Sequence, residues 1–107
     1  MTLNDVKFKP WRNGSKDSST GYGFCISKKY RNLFPRNWSN IIVLICYGNE
    51  SELIAFNLKD TFWSTCPDLK NNSVRKWFEA SGILRWSGRK PELRTTYLGE
   101  NKFRVDL

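Results

Sequence analysis

Apolar positions along the chain come in short runs, most of them alternating, with turn residues between them. Val6-Lys7-Phe8-Lys9 alternates apolar and basic side chains, the period-two pattern of a half-buried strand. Arg12 to Gly21 reads Arg-Asn-Gly-Ser-Lys-Asp-Ser-Ser-Thr-Gly, which is turn chemistry throughout and predicts a loop. Tyr22 to Ile26 is apolar and aromatic, a second strand. Ser27 suits the N-cap of a short helix over Lys28 to Phe34, which Pro35 ends. That helix can turn Leu33 and Phe34 to the core and leave Lys28, Lys29 and Arg31 in water.

The densest β-branched run, Ile41 to Tyr47, predicts a central strand. Gly48-Asn49-Glu50-Ser51 makes a turn, and Glu52 to Leu58 pairs back as a hairpin. Leu53, Ala55 and Asn57 then share one face, and Ile54, Phe56 and Leu58 the other. Lys59 to Asn72 carries mixed signals and reads as a short strand or an irregular arm. Asn72 or Ser73 can cap a helix running to about Ser81, with Val74, Trp77 and Phe78 at helical spacing and Gly82 ending it. A loop through Trp86-Ser87-Gly88-Arg89 leads to a last hairpin, Leu93 to Leu98 and Lys102 to Leu107, around Gly99-Glu100-Asn101. In its second strand Phe103, Val105 and Leu107 alternate inward.

Strands dominate this order, and most neighbours pair locally. That favours an antiparallel barrel or sandwich with two helices plugging its openings. The 107 residues fit one domain spanning residues 1–107, and 39% hydrophobic content is enough for a core without disulfides or metal.

Charge changes the picture next. Lys and Arg number 18 against 10 Asp and Glu, a formal charge of +8. A surplus of that size attracts polyanions, of which nucleic acid is the commonest. The positive residues are spread out rather than clustered, so a basic protein with no such partner is the competing reading. No run approaches the ~20 apolar residues of a membrane span, and no helix candidate has the basic amphipathic form that lies on membranes. The first residues, Met1-Thr2-Leu3-Asn4-Asp5, lack the profile of a signal peptide. A cytoplasmic or nucleoid-associated location is therefore expected.

Candidate catalytic chemistry is sparse. The chain has no histidine, which removes the usual general base, the Ser-His and Cys-His pairs, and the commonest zinc ligand. Cys25, Cys46 and Cys66 are odd in number, form no CxxC pair and read as reduced, buried thiols. A metal nuclease of the PD…ExK kind would need a Lys two places after its Glu. Pro67-Asp68 with Glu79-Ala80-Ser81 offers Ser there, and Pro91-Glu92-Leu93-Arg94 fails in the same way. Gly21-Tyr22-Gly23 lacks the third Gly of a phosphate loop and the helix that should follow. These residues predict a non-enzyme with no metal, no small-molecule cofactor and no membrane partner.

Two stretches carry a resemblance. Tyr22-Gly23-Phe24-Cys25-Ile26-Ser27-Lys28-Lys29-Tyr30-Arg31-Asn32-Leu33-Phe34-Pro35 resembles the second strand and first helix of the plant B-three type DNA-binding pseudobarrel. Val74 to Leu84, with Trp77 and Phe78, is similar to that family's second helix, and Gly99-Glu100-Asn101-Lys102-Phe103-Arg104-Val105 to its closing hairpin. Recognition domains of restriction endonucleases of the EcoRII and BfiI kind share the fold. The resemblance implies a mainly β (α+β) fold, an open antiparallel seven-stranded pseudobarrel with two short helices. It also implies a non-catalytic double-stranded DNA-binding domain, linked to restriction or transcription control.

In that family two loop arms enter the major groove while the barrel face lies on phosphates. The first arm would carry Arg12, Asn13, Ser15, Lys16, Ser18 and Ser19. Arg can fork onto guanine, Asn onto adenine, and short hydroxyls onto phosphate. The same residues also suit a plain flexible loop. The second arm would lie near Lys59, Thr61, Trp63, Ser64 and Thr65, with Trp63 either against DNA or in the core. Lys28, Lys29, Arg31 and Arg36 are candidates for phosphate, as are Arg85, Arg89 and Lys90 beside Trp86. Two other readings stand beside this one. One is an RNA or single-strand binder that stacks bases on its five Trp and four Tyr. The other is a protein-interaction module, such as a phage inhibitor, whose basic surface meets an acidic partner protein.

Overall fold

The computed structural model describes residues 1–13, 21–65, 68–86 and 88–107. Among them the strands are β1 (Phe8–Arg12), β2 (Tyr22–Ile26), β3 (Asn40–Tyr47), β4 (Glu50–Asn57), β5 (Asp68–Lys70), β6 (Arg94–Gly99) and β7 (Lys102–Asp106). The helices are α1 (Lys28–Arg31) and α2 (Arg75–Ser81). The protein is mainly β. One sheet has the order β1-β2-β5 and the other β4-β3-β7-β6.

The two sheets meet edge to edge without closing. At one seam the Leu93 amide donates to the Phe8 carbonyl (2.8 Å) and the Phe8 amide donates to Thr95 Oγ1 (3.2 Å). Phe8 therefore turns its backbone away from β2, and so does Pro10, two residues on. Proline has no amide to offer a neighbour, so the pairing of β1 with the β6 side stops there. At the other seam the Asn71 side-chain amide donates to the Ala55 carbonyl of β4 (2.8 Å). The result is an open barrel, in which short contacts and side chains replace the missing ladders.

Alternation along the strands fills the barrel. All seven phenylalanines are at most 1% exposed. Phe24 of β2 touches Phe8, Phe56 and Phe78 at centroid distances of 5.3, 5.3 and 5.6 Å. Phe103 of β7 stacks on Phe34 at 5.5 Å. Such ring pairs, offset or edge to face, hold both sheets around one core. Ile54, Phe56 and Leu58 are the inward face of the β3–β4 hairpin, and Leu53, Ala55 and Asn57 the outward one.

Several expected boundaries move. The first strand begins at Phe8 because Leu3–Asp5 forms a 3-10 turn, closed by a capping box between Thr2 and Asp5. The first helix ends at Arg31, and Leu33 and Phe34 follow in turns whose amides reach back three residues. Ser27 makes no side-chain cap bond. Asn71, one residue ahead of the expected caps, accepts from the Ser73 amide and starts a 3-10 turn that runs into α2. Gly82 ends α2 at φ 71°, a left-handed value that glycine adopts freely. The segment 59–72 contains a 3-10 turn, Asp60–Trp63, and then β5.

Two expectations need correction. β3 and β7 run parallel, although every other strand pair is antiparallel among the described residues. The closing hairpin arrives after α2 and slots β7, not β6, beside β3. Sequence neighbours carry no record of that choice. Arg31, expected in water, is only 8% exposed.

Candidate functional site

Strand register builds a patch on the outer face of the small sheet. Trp11, Gly23 and Lys70 lie in one cross-strand row, and Lys9, Cys25 and Asp68 in the next. Their neighbours in sequence, Phe8, Pro10, Phe24 and Leu69, point inward and are buried. The period of two along each strand separates these sets.

Glycines let this row pack tightly. A Cβ on Gly21 would meet Lys70 Cε at 3.0 Å and Trp11 Cη2 at 3.4 Å. The stem of Lys70 therefore lies along the backbone and meets the edge of the Trp11 indole there. Beside this row opens a cleft of about 370 Å³. Trp11, Asn57, Lys59, Thr61, Asp68 and Lys70 line it, together with the buried Phe62 and Leu69.

The next row holds Cys25. Partial burial pushes its thiol up from the usual range, and the Asp68 carboxylate adds to that by charge and by hydrogen bonding. Lys90 and Lys9 pull the other way. Lys90, from the segment after α2, is thus near enough to act on the thiol together with Lys9 and Asp68.

The second expected arm is clamped from beneath. Phe62 is buried, and Trp63 Nε1 donates to the Phe34 carbonyl (2.9 Å). The Arg36 guanidinium lies over the Trp63 ring at 5.8 Å. Arg31 Nη1 donates to the Ser64 carbonyl (3.2 Å), and its buried Nε has no hydrogen-bond partner among the described residues. Trp63 and Arg31 thus hold the arm to α1 and the turn after it. The Trp63 ring is half-buried and packs against the core. Lys59, Thr61, Ser64 and Thr65 remain exposed, and the first two face the cleft.

The first arm begins at a tied neck. The Asn13 amide donates to the Gly21 carbonyl (3.0 Å), and Asn13 Oδ1 accepts from the Gly21 amide (3.1 Å). Ser15, Lys16, Ser18 and Ser19 lie outside the described residues. Arg12 Nη1 donates to the Leu84 carbonyl (3.1 Å), and the guanidinium lies over the Trp86 ring at 4.9 Å. These contacts join the end of β1 to the 3-10 turn Ile83–Arg85.

Arg85 and Arg89 are exposed nearby. Lys28 and Lys29 are exposed on α1, with Lys29 Nζ 4.9 Å above the Tyr30 ring.

The structure therefore brings Lys59 and Thr61 together with residues not expected at the site: Trp11, Asn57, Lys70, and Asp68, which motif reading weighed only as part of a metal-nuclease pattern. The signal for Trp11 was in the alternation of Lys9 and Trp11 along β1. Lys70 and Asp68 had no such signal, because β5 is only three residues long.

No protein-family model, curated protein or solved structure matches this chain. Its class is defined by its own geometry: an open, mainly β barrel of two sheets with two short helices, carrying a cleft of mixed aromatic and charged lining. No helix among the described residues is long and apolar enough to cross a membrane.

Proposed function

We propose that the chain is a non-catalytic domain that binds double-stranded DNA, with the loop after β1 and the segment after β4 as its two arms. The observation that carries this reading is the cleft: its lining joins Trp11, beside the neck of the first arm, to Lys59 and Thr61 of the second, with Lys70 next to Trp11. Two cationic side chains reach one concave surface beside a ring, in a chain whose formal charge is +8. Lysines of this kind meet phosphates, and polar loop side chains can meet base edges in a major groove wide enough to admit them. The resemblance to B-three type pseudobarrels points the same way, and a role in restriction or transcription control would follow from it.

Electrophoretic retardation of a randomised duplex pool across a salt series tests the proposal. The affinity should fall with salt with a log–log slope of roughly −0.9 per neutralised phosphate. Lys59→Ala and Lys70→Ala should each shorten that slope by about one contact. Competition with single strands and RNA at fixed salt decides the polymer. Preference for either over duplex, or no retardation and a stably bound partner protein instead, would replace this reading.

A further inference from the structure

The cleft holds more than a phosphate-binding surface needs. Its volume of about 370 Å³ falls within the range of small-ligand sites, roughly 300–1,000 Å³. Trp11 supplies an aromatic ring to its lining, and the buried Phe62 lies behind it. Lys59 and Lys70 supply positive charge. Asn57 and Asp68 fit a phosphate grip poorly: an amide adds little to it, and a carboxylate repels the backbone. Both types are suited to base edges, Asn to adenine and Asp to an exocyclic amino group. An acid held two residues from Lys70, in the wall of a basic cleft, is what a base pocket needs and a backbone groove does not.

The floor of β2 is bare. Gly21 and Gly23 place no side chain between Trp11 and Lys70, so the indole and the lysine stem come together over backbone. Every nucleobase has a face that stacks on such a ring.

We propose that this cleft takes one nucleobase extruded from the bound duplex. The base stacks on Trp11, and Asn57 and Asp68 read its edge. Lys59 and Lys70 hold the flanking phosphates. This inference rests on the duplex-binding reading and names the part of the duplex that the cleft receives. Extrusion costs a few kcal/mol of stacking and pairing, least where the pair is already mismatched.

The test uses the full chain and short duplexes from the selected pool, each with one 2-aminopurine, a base whose fluorescence rises when it leaves the stack. A rise of several-fold at one position is expected, with no response at the others. A mismatch at that position should tighten binding by about tenfold, since it removes part of the unpairing cost. Trp11→Ala should abolish the rise. Asn57→Ala and Asp68→Asn, which change a side chain at the cleft rim, should reduce it and the mismatch preference in protein that keeps its native circular dichroism. Binding at full affinity with unchanged fluorescence at every position overturns the pocket and leaves the duplex reading intact. An undiminished rise in all three variants also overturns it. Failure of the wild-type chain to bind any duplex removes the duplex reading itself, and the pocket's occupant with it.

Discussion

Gly23 of β2 and Leu69 of β5 approach so closely that a Cβ on the glycine would stand 1.8 Å from the leucine carbonyl oxygen. Backbone, not a flexible side chain, blocks the way, so no rotamer change relieves the clash. Gly23→Ala must push β5 off β2. With β5 would go the row that sets Lys70 beside Trp11. The loss of stability should reach the top of the roughly 1–3 kcal/mol typical of overpacking, or exceed it. Urea denaturation of the two proteins measures this, and a loss below about 1 kcal/mol would show that the strands separate easily.

Arg31 separates a buried cation from an exposed one. Its guanidinium is held to the Ser64 carbonyl, with Nε unpartnered among the described residues, and 8% of the residue is exposed. Arg31→Met removes a charge and an unsatisfied donor while keeping much of the volume. Such replacements are often neutral or stabilising. The expected change in unfolding free energy is within about 1 kcal/mol in either direction. The salt slope of DNA binding should stay as in the wild type, in contrast to Lys59→Ala. Amide exchange at Ser64 and Thr65 should quicken, because the arm has lost its tie to α1. A shortened salt slope in Arg31→Met would mean that the side chain leaves its site to meet a phosphate.

The Arg12 guanidinium over Trp86 joins the first strand to the segment after α2. Arg12→Ala forfeits the ring contact and a charge-assisted hydrogen bond to Leu84, together worth about 1–3 kcal/mol. Lysine cannot both stack and fork, so Arg12→Lys should recover little of it. Thermal unfolding monitored by tryptophan emission reports both. If Arg12→Ala leaves stability unchanged and alters only sequence preference in binding, the side chain is a base reader and not a tie.

The thiol of Cys25 should be slow to react. Burial, and Asp68 after it, hold its pKa above the usual thiol range. A raised value in the folded state means that the protonated thiol is favoured by folding. The corresponding stability is present below the unfolded thiol's pKa and fades as pH rises through the folded one. In a Cys46→Ser, Cys66→Ser background, iodoacetamide labelling at mildly alkaline pH should be slower in the folded protein than in urea. Asp68→Asn should speed it. Equal rates for the folded wild type and for Asp68→Asn would disprove the influence of the carboxylate.

Much of the fold could be read from local patterns. The β2 strand, the β3–β4 hairpin with its inward Ile54, Phe56 and Leu58, the Gly82 stop and the closing hairpin follow from period-two alternation and turn chemistry, which act within a few residues. The candidate site was legible only in part. Lys59 and Thr61 were visible as polar residues after a strand. Arg31 was misplaced because a charged residue on a short helix gives no sign that a segment two strands further on, Asp60–Trp63, will pack over it.

What the chain's own order of residues determined was the set of strands and helices, which face of each is apolar, and the net positive charge that suits a polyanionic partner. Tertiary structure alone decided that β7 lies parallel to β3, that Arg31 is sealed beneath the second arm, and that Trp11, Asn57, Asp68 and Lys70 share a cleft. The reason is physical. Alternation and capping are settled between neighbours along the backbone, whereas these juxtapositions come from segments tens of residues apart, brought together when the two sheets bury one common set of phenylalanines.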